Sequence, residues 1–141
     1  MSCTSTRVVA GILSAVMWIG ATQAADFDGS KPFVCTLLDL NSCTAGGNCQ
    51  AETPESADIP RFLFIDVQKG AITGSRAGGE LLSTKIERMR TLDDKLVLEG
   101  AEGALSWTVT VSQTSGDMSL GAVGDGIGFL VFGACVRASP N

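Results

Sequence analysis

The stretch Gly126-Ile-Gly-Phe-Leu-Val-Phe-Gly-Ala-Cys-Val136 limits the fold more than any other, because both faces of the strand it would form are apolar. In extended chain Ile127, Phe129, Val131 and Cys135 point one way, and Leu130, Phe132, Ala134 and Val136 point the other. Such a strand is central in its sheet, or something covers its second face. Cover under the long connection from Asn41 to Ile59 is the expectation. Left open, Leu130, Phe132 and Val136 form a patch of the kind that marks partner binding.

The chain begins with a leader pattern. Arg7 supplies a positive charge, Val8 to Ile19 are largely apolar, and Thr22-Gln23-Ala24 puts small residues where a signal peptidase reads. Cleavage after Ala24 is expected. The product is an exported protein, periplasmic or secreted, with one domain over residues 25–141. The apolar run is shorter than the roughly 20 residues of a membrane helix. No later stretch is long enough to span a membrane either.

Of the five cysteines, Cys3 leaves with the leader, and Cys35, Cys43, Cys49 and Cys135 remain. Even numbers in an exported chain point to disulfides. The alternative, a four-thiolate zinc site, lacks its usual paired C-x-x-C spacing. Two bonds are expected, and of the three possible connectivities the favoured one is Cys43–Cys49 around Thr44-Ala-Gly-Gly-Asn48 with Cys35–Cys135 tying the first strand to the last.

Between these anchors short alternating runs follow one another. Phe33 to Leu40 places Phe33, Cys35 and Leu37 against Val34, Leu38 and Leu40. Arg61 to Val67 sets Leu63, Ile65 and Val67 on one face. Further strands are expected over Ala71–Thr73, Leu82–Arg90 (the alternative there being a short helix from Gly79 followed by a strand) and Lys95–Glu99. Leu105 to Val111 turns Leu105, Trp107, Val109 and Val111 inward, and Asp117 to Val123 does the same with Met118, Leu120 and Ala122. Gly124-Asp-Gly126 is a tight hairpin before the last strand. The expected fold is all-β: an antiparallel meander of about seven to eight strands, a closed or nearly closed barrel rather than a β-sandwich.

The chemistry is defined mainly by what is missing. With no histidine and no tyrosine, no Ser-His or Cys-His nucleophile pair and no histidine-bound zinc can form. The exported part has no Gly-x-Ser-x-Gly and no Ser-x-x-Lys. The glycine-rich loop 74–79 carries Glu80 where a phosphate-binding loop needs lysine. Asp66, Glu87, Glu99 and Asp117 are the carboxylates a hydrolase would have to bring together. Net charge is −5 with scattered cations, which argues against nucleic acid. No cofactor and no metal are expected.

The candidate binding residues are Arg88, Arg90, Trp107 and Phe132. If Ile86 faces inward in an unbroken strand, Arg88 and Arg90 follow it to a barrel mouth, where guanidinium forks grip a carboxylate or phosphate. A register break after Ile86 sends both to solvent instead.

Pro60-Arg-Phe-Leu-Phe-Ile-Asp66, Leu96-Val-Leu-Glu-Gly100, Trp107 ahead of Gly116-Asp-Met118, and Phe129-Leu-Val-Phe-Gly-Ala-Cys135 together resemble a group of small exported proteobacterial β-rich proteins of unknown function. The resemblance covers nearly all of the mature chain and implies export and the fold, with no activity to carry over. The expected function is a non-enzymatic binding module for a protein partner or small ligand. The alternatives are a structural accessory subunit of a cell-envelope complex and a carboxylate-based hydrolase.

Overall fold

Apolar and polar side chains alternate through most of the chain, and Gly and Asp punctuate the turns, so strands form throughout. The computed structural model describes residues 26–139. The leader expected over 1–24 lies outside them. Among the described residues there is no helix. Ten strands follow in order: β1 (Phe33–Thr44), β2 (Asn48–Glu52), β3 (Phe62–Asp66), β4 (Ala71–Ser75), β5 (Leu81–Lys85), β6 (Arg88–Leu92), β7 (Lys95–Glu102), β8 (Leu105–Ser112), β9 (Asp117–Gly124) and β10 (Ile127–Arg137). Every pairing is antiparallel. One sheet runs β5-β4-β3-β1-β10-β9-β8-β7-β6, with β2 beside the second half of β1. It curls strongly into a half-barrel.

Two expectations are corrected here, the strand count and the closure. The first strand does not stop at Leu40. It continues to Thr44 and turns at Gly46-Gly47, both at positive φ, into β2. That hairpin is largely polar, so no apolar alternation announces it. The second extra strand comes from the expected Leu82–Arg90, which changes partner halfway. Ile86 N donates to Gly70 O at 2.8 Å, beside β4, whereas Glu87 N donates to Glu99 O at 2.9 Å, on β7. Consecutive residues of an extended chain aim their backbone groups to opposite sides, so one stretch serves β4 with its first half and β7 with its second. The terminal strands β5 and β6 are therefore chain neighbours, and no ladder joins β5 to the end of β7. The barrel is open along that seam.

The first and last strands do meet, at the centre of the sheet. Cys35 stands opposite Cys135 and Cys43 opposite Cys49, and both expected disulfides are present, with Cα atoms 3.9 and 4.1 Å apart.

A β-bulge between Leu37 and Asp39 corrects a third expectation. Leu38 is the extra residue and is exposed, and the alternation resumes with Leu40 inward and fully buried rather than outward beside Leu38. Gly133 sits opposite this kink, where a Cβ would run into the Thr36 carbonyl.

The core fills the concave face, with Leu37, Leu40, Ile65, Leu96, Leu98, Val109 and Val131 wholly or almost wholly buried. Phe27, from the segment ahead of β1, is buried edge-on against Phe33 at 5.6 Å and completes one end of the half-barrel. The other end is covered by the turn between β2 and β3. Arg61 clasps Glu55 with two hydrogen bonds, Nε to Oε1 at 2.6 Å and Nη2 to Oε2 at 2.9 Å. Those bonds pull the Glu55 carboxyl down to about 2. Arg76 Nε donates to the Asp58 carbonyl at 2.9 Å and Arg76 Nη1 to Glu80 at 2.8 Å, fastening the turn to the β4–β5 loop. The turn thereby holds Ile59 and Pro60 over the interior.

Candidate functional site

Packing is incomplete beneath that turn. A cavity of about 190 Å³ lies between the inner faces of β8, β9 and β10 and the first residues of β3, and its exposed wall is wholly apolar. Leu37, Val109 and Val131 form its depth, Trp107, Ala122 and Phe129 its side, and Ile59 and Pro60 its roof. Thr84 on β5, Glu102 at the end of β7 and Leu105 at the start of β8 also line it. The cavity thus reaches the seam that the sheet leaves unclosed.

The register explains why the space exists. Trp107 is paired with Gly100 across β7 and β8, and the indole occupies the room a side chain would take. Its Nε1 donates to Thr84 Oγ1 at 3.2 Å, and Thr84 Oγ1 donates to the Ala101 carbonyl at 3.3 Å. These bonds bridge the seam with side chains where no backbone ladder does. They also occupy the polar atoms that would otherwise face the cavity.

The structure does not bring the sequence-predicted residues together. Trp107 is buried in the cavity wall. Arg88 and Arg90 lie exposed on β6, past the partner change at Ile86–Glu87, and neither lines the cavity. Both face Glu99: Arg90 Nη2 is 2.7 Å from Oε1 and Arg88 Nη1 is 4.0 Å from Oε2. Of the other carboxylates, Asp66 accepts from the Lys69 backbone N–H at 3.0 Å and Asp117 from Ser115 Oγ at 2.8 Å, and Glu87 is exposed.

Phe132 is on the opposite, convex face. The connection 41–59 was expected to cover that face, and it does not. Its first part is committed to the β1–β2 hairpin and its last part to the cavity roof, so no chain is left over. Among the described residues nothing covers Phe62, Phe64, Leu130, Phe132 and Val136, which are 38–65% exposed. Phe64, Val34 and Val136 stand side by side across β3, β1 and β10.

Sequence reasoning missed Ile59, Pro60, Thr84 and Glu102. Glu102 was detectable: it shares inward parity with Leu96, Leu98 and Gly100, provided β7 is continued through the Gly100-Ala-Glu-Gly103 segment instead of being ended at Glu99. The roof carries no periodic signal.

With this geometry defined, comparison with known proteins adds nothing further. No family model, curated protein or solved structure matches the chain.

Proposed function

We propose that the protein is a non-enzymatic binding module that takes a small apolar ligand into the cavity beneath Ile59 and Pro60. The observation that carries this reading is the wholly apolar wall beside an unclosed seam, with the nearby Trp107 and Thr84 donors already engaged. An apolar cavity of roughly 150 Å³ holds a benzene ring. At about 190 Å³ this one suits a single ring or a short alkyl chain. The two disulfides are compatible with an oxidising compartment, in keeping with export.

Filling the space tests the reading. Ala122 lines the cavity from β9, and leucine there occupies part of it. Ala122→Leu is expected to weaken binding of phenethyl alcohol, measured by calorimetry, at least tenfold. The melting temperature should stay constant or rise as the void closes. Unchanged affinity in the variant would rule the cavity out as the binding site.

A second reading, a structural subunit, is supported by the convex face. Leu38, Phe62, Phe64, Val123, Leu130, Phe132 and Val136 are 38–65% exposed there. Together they offer apolar surface on the order of the 800 Å² that each partner of a standard interface buries. The occupant this surface suits is a second copy, related by a two-fold axis that lets the same apolar residues cover one another on both chains. Sedimentation equilibrium is expected to show a dimer that dissociates in the Phe132→Ser/Val136→Ser variant. A monomer at high micromolar concentration would sink this reading and leave the cavity untouched.

A further inference from the structure

The two disulfides sit in opposite surroundings. Cys35 and Cys135 belong to the core, 0% and 6% exposed, so a thiol in solution meets neither sulfur while the sheet is intact. Cys43–Cys49 lies at the margin of the sheet, where Cys49 is exposed and Cys43 half-buried. Among the described residues β2 pairs with β1 alone, and no strand follows beyond Cys49. On the other flank, the residue level with Cys43 on β10 is Gly128, which has no side chain to lay over the bond. Next in that row comes Val123 on β9, itself 60% exposed. The bond is open on both flanks.

The hairpin does not need the bond to keep its register. The ladder from Leu40↔Glu52 to Thr44↔Asn48 holds β1 to β2, and Ser42 Oγ donates to the Glu52 carboxylate. Ala45 N donates to Gly126 O at 2.8 Å, which ties the turn to the β9–β10 hairpin. The bond closes a sequence separation of only 6, so opening it releases little chain entropy. Once opened, Cys43 and Cys49 still stand opposite one another. Reversible exchange requires those two conditions: a sulfur that an outside thiolate reaches, and a second sulfur held where it can displace the newcomer. We propose that Cys43–Cys49 is a thiol–disulfide exchange site for small monothiols, with Cys49 the sulfur attacked and Cys43 the resolving thiol. The monothiol, as thiolate, forms a bond to Cys49 Sγ. The Cys43–Cys49 bond breaks, and its electron pair leaves on Cys43 Sγ, which takes up a proton. Cys43, again as thiolate, closes the bond by expelling the monothiol. A second thiolate attacking the mixed disulfide instead leaves Cys49 as a thiol, so that the protein bond is reduced and the monothiol oxidised to its own disulfide. None of this depends on the cavity.

The native protein, held in reduced glutathione, alkylated at intervals and read by peptide mass spectrometry, tests the site. Cys43–Cys49 is expected to open about a hundredfold faster than Cys35–Cys135, because the buried bond reacts only when the centre of the sheet opens. Amide resonances should then shift over residues 40–52 and keep their positions over β7 and β8. The mixed disulfide should remain a trace in the native protein, where Cys43 displaces it, and should accumulate on Cys49 when Cys43→Ser is treated with oxidised glutathione. Cys49→Ser, which leaves the half-buried sulfur, should take up glutathione about tenfold more slowly than Cys43→Ser, in keeping with the dependence of thiol reactivity on exposure. Equal opening rates for the two native bonds, or no opening of Cys43–Cys49 without denaturant, would overturn exchange at this site. Equal or faster uptake by Cys49→Ser would overturn the assignment of Cys49 as the sulfur attacked.

Discussion

Replacing Cys35 and Cys135 together by alanine is expected to lower the free energy of unfolding by about 4–5 kcal/mol. The bond closes a loop with a sequence separation of 100. In the chain-entropy account, a crosslink stabilises by restricting the unfolded chain, and the restriction grows with loop length. Its position adds to this. β1 and β10 are neighbours in the middle of the strand order, and with Cys35 fully buried the two alanines also leave a void. The Cys43–Cys49 bond, across a separation of 6, should contribute only about 2 kcal/mol by the same relation. Urea unfolding of the two double variants checks the ranking. Equal losses would show that loop length is not what sets the stabilisation here. The Cys35/Cys135 variant should also populate unfolded chain measurably at room temperature, because losses of this size approach the whole stability of a small domain.

That the four cysteines form two bonds was legible from their number and context, and the pairing found is the favoured one of three possible, while the inward faces of β8 and β10 could be read directly. In both strands a strict period of two survives without interruption, so Val109, Val111 and Val131 could be placed before any coordinates. The first strand was legible only as far as Leu37, because one extra residue at the bulge reverses the parity of everything after it, and no composition marks the insertion. The β1–β2 hairpin escaped notice because its strands are polar, although Gly46-Gly47 between two cysteines was a turn signal in plain view. The seam is a different kind of omission. It depends on which neighbour each half of residues 81–92 chooses, and a local pattern contains no information about partners. The candidate site inherits that limit: Trp107 could be read as inward, but its cavity is made by the roof at Ile59 and Pro60 and by the unclosed edge, both tertiary features.

Gly100 is where the seam and the cavity depend on a single position, and Gly100→Ala should cost about 1–3 kcal/mol and abolish ligand binding together. A Cβ at this position would collide with the Trp107 ring on one side and come within 2.6 Å of the Lys85 carbonyl on the other. The ring can give way only by rotating off the face of β7, which breaks its bond to Thr84 Oγ1 and carries it into or out of the cavity. The Lys85 carbonyl can give way only if β5 moves off β7, which widens the seam. Either relaxation changes the wall on which the ligand sits. Gly121→Ala is the matched control, for a Cβ there meets nothing within 4 Å. Alanine at that site should be neutral or slightly stabilising through the unfolded chain, with binding intact. The pair of variants, compared by urea unfolding and by phenethyl alcohol titration, separates a general intolerance of side chains on this sheet from a specific demand at Gly100. If Gly100→Ala retains both stability and affinity, Trp107 does not need its bare backbone partner, and the glycine does not shape the cavity.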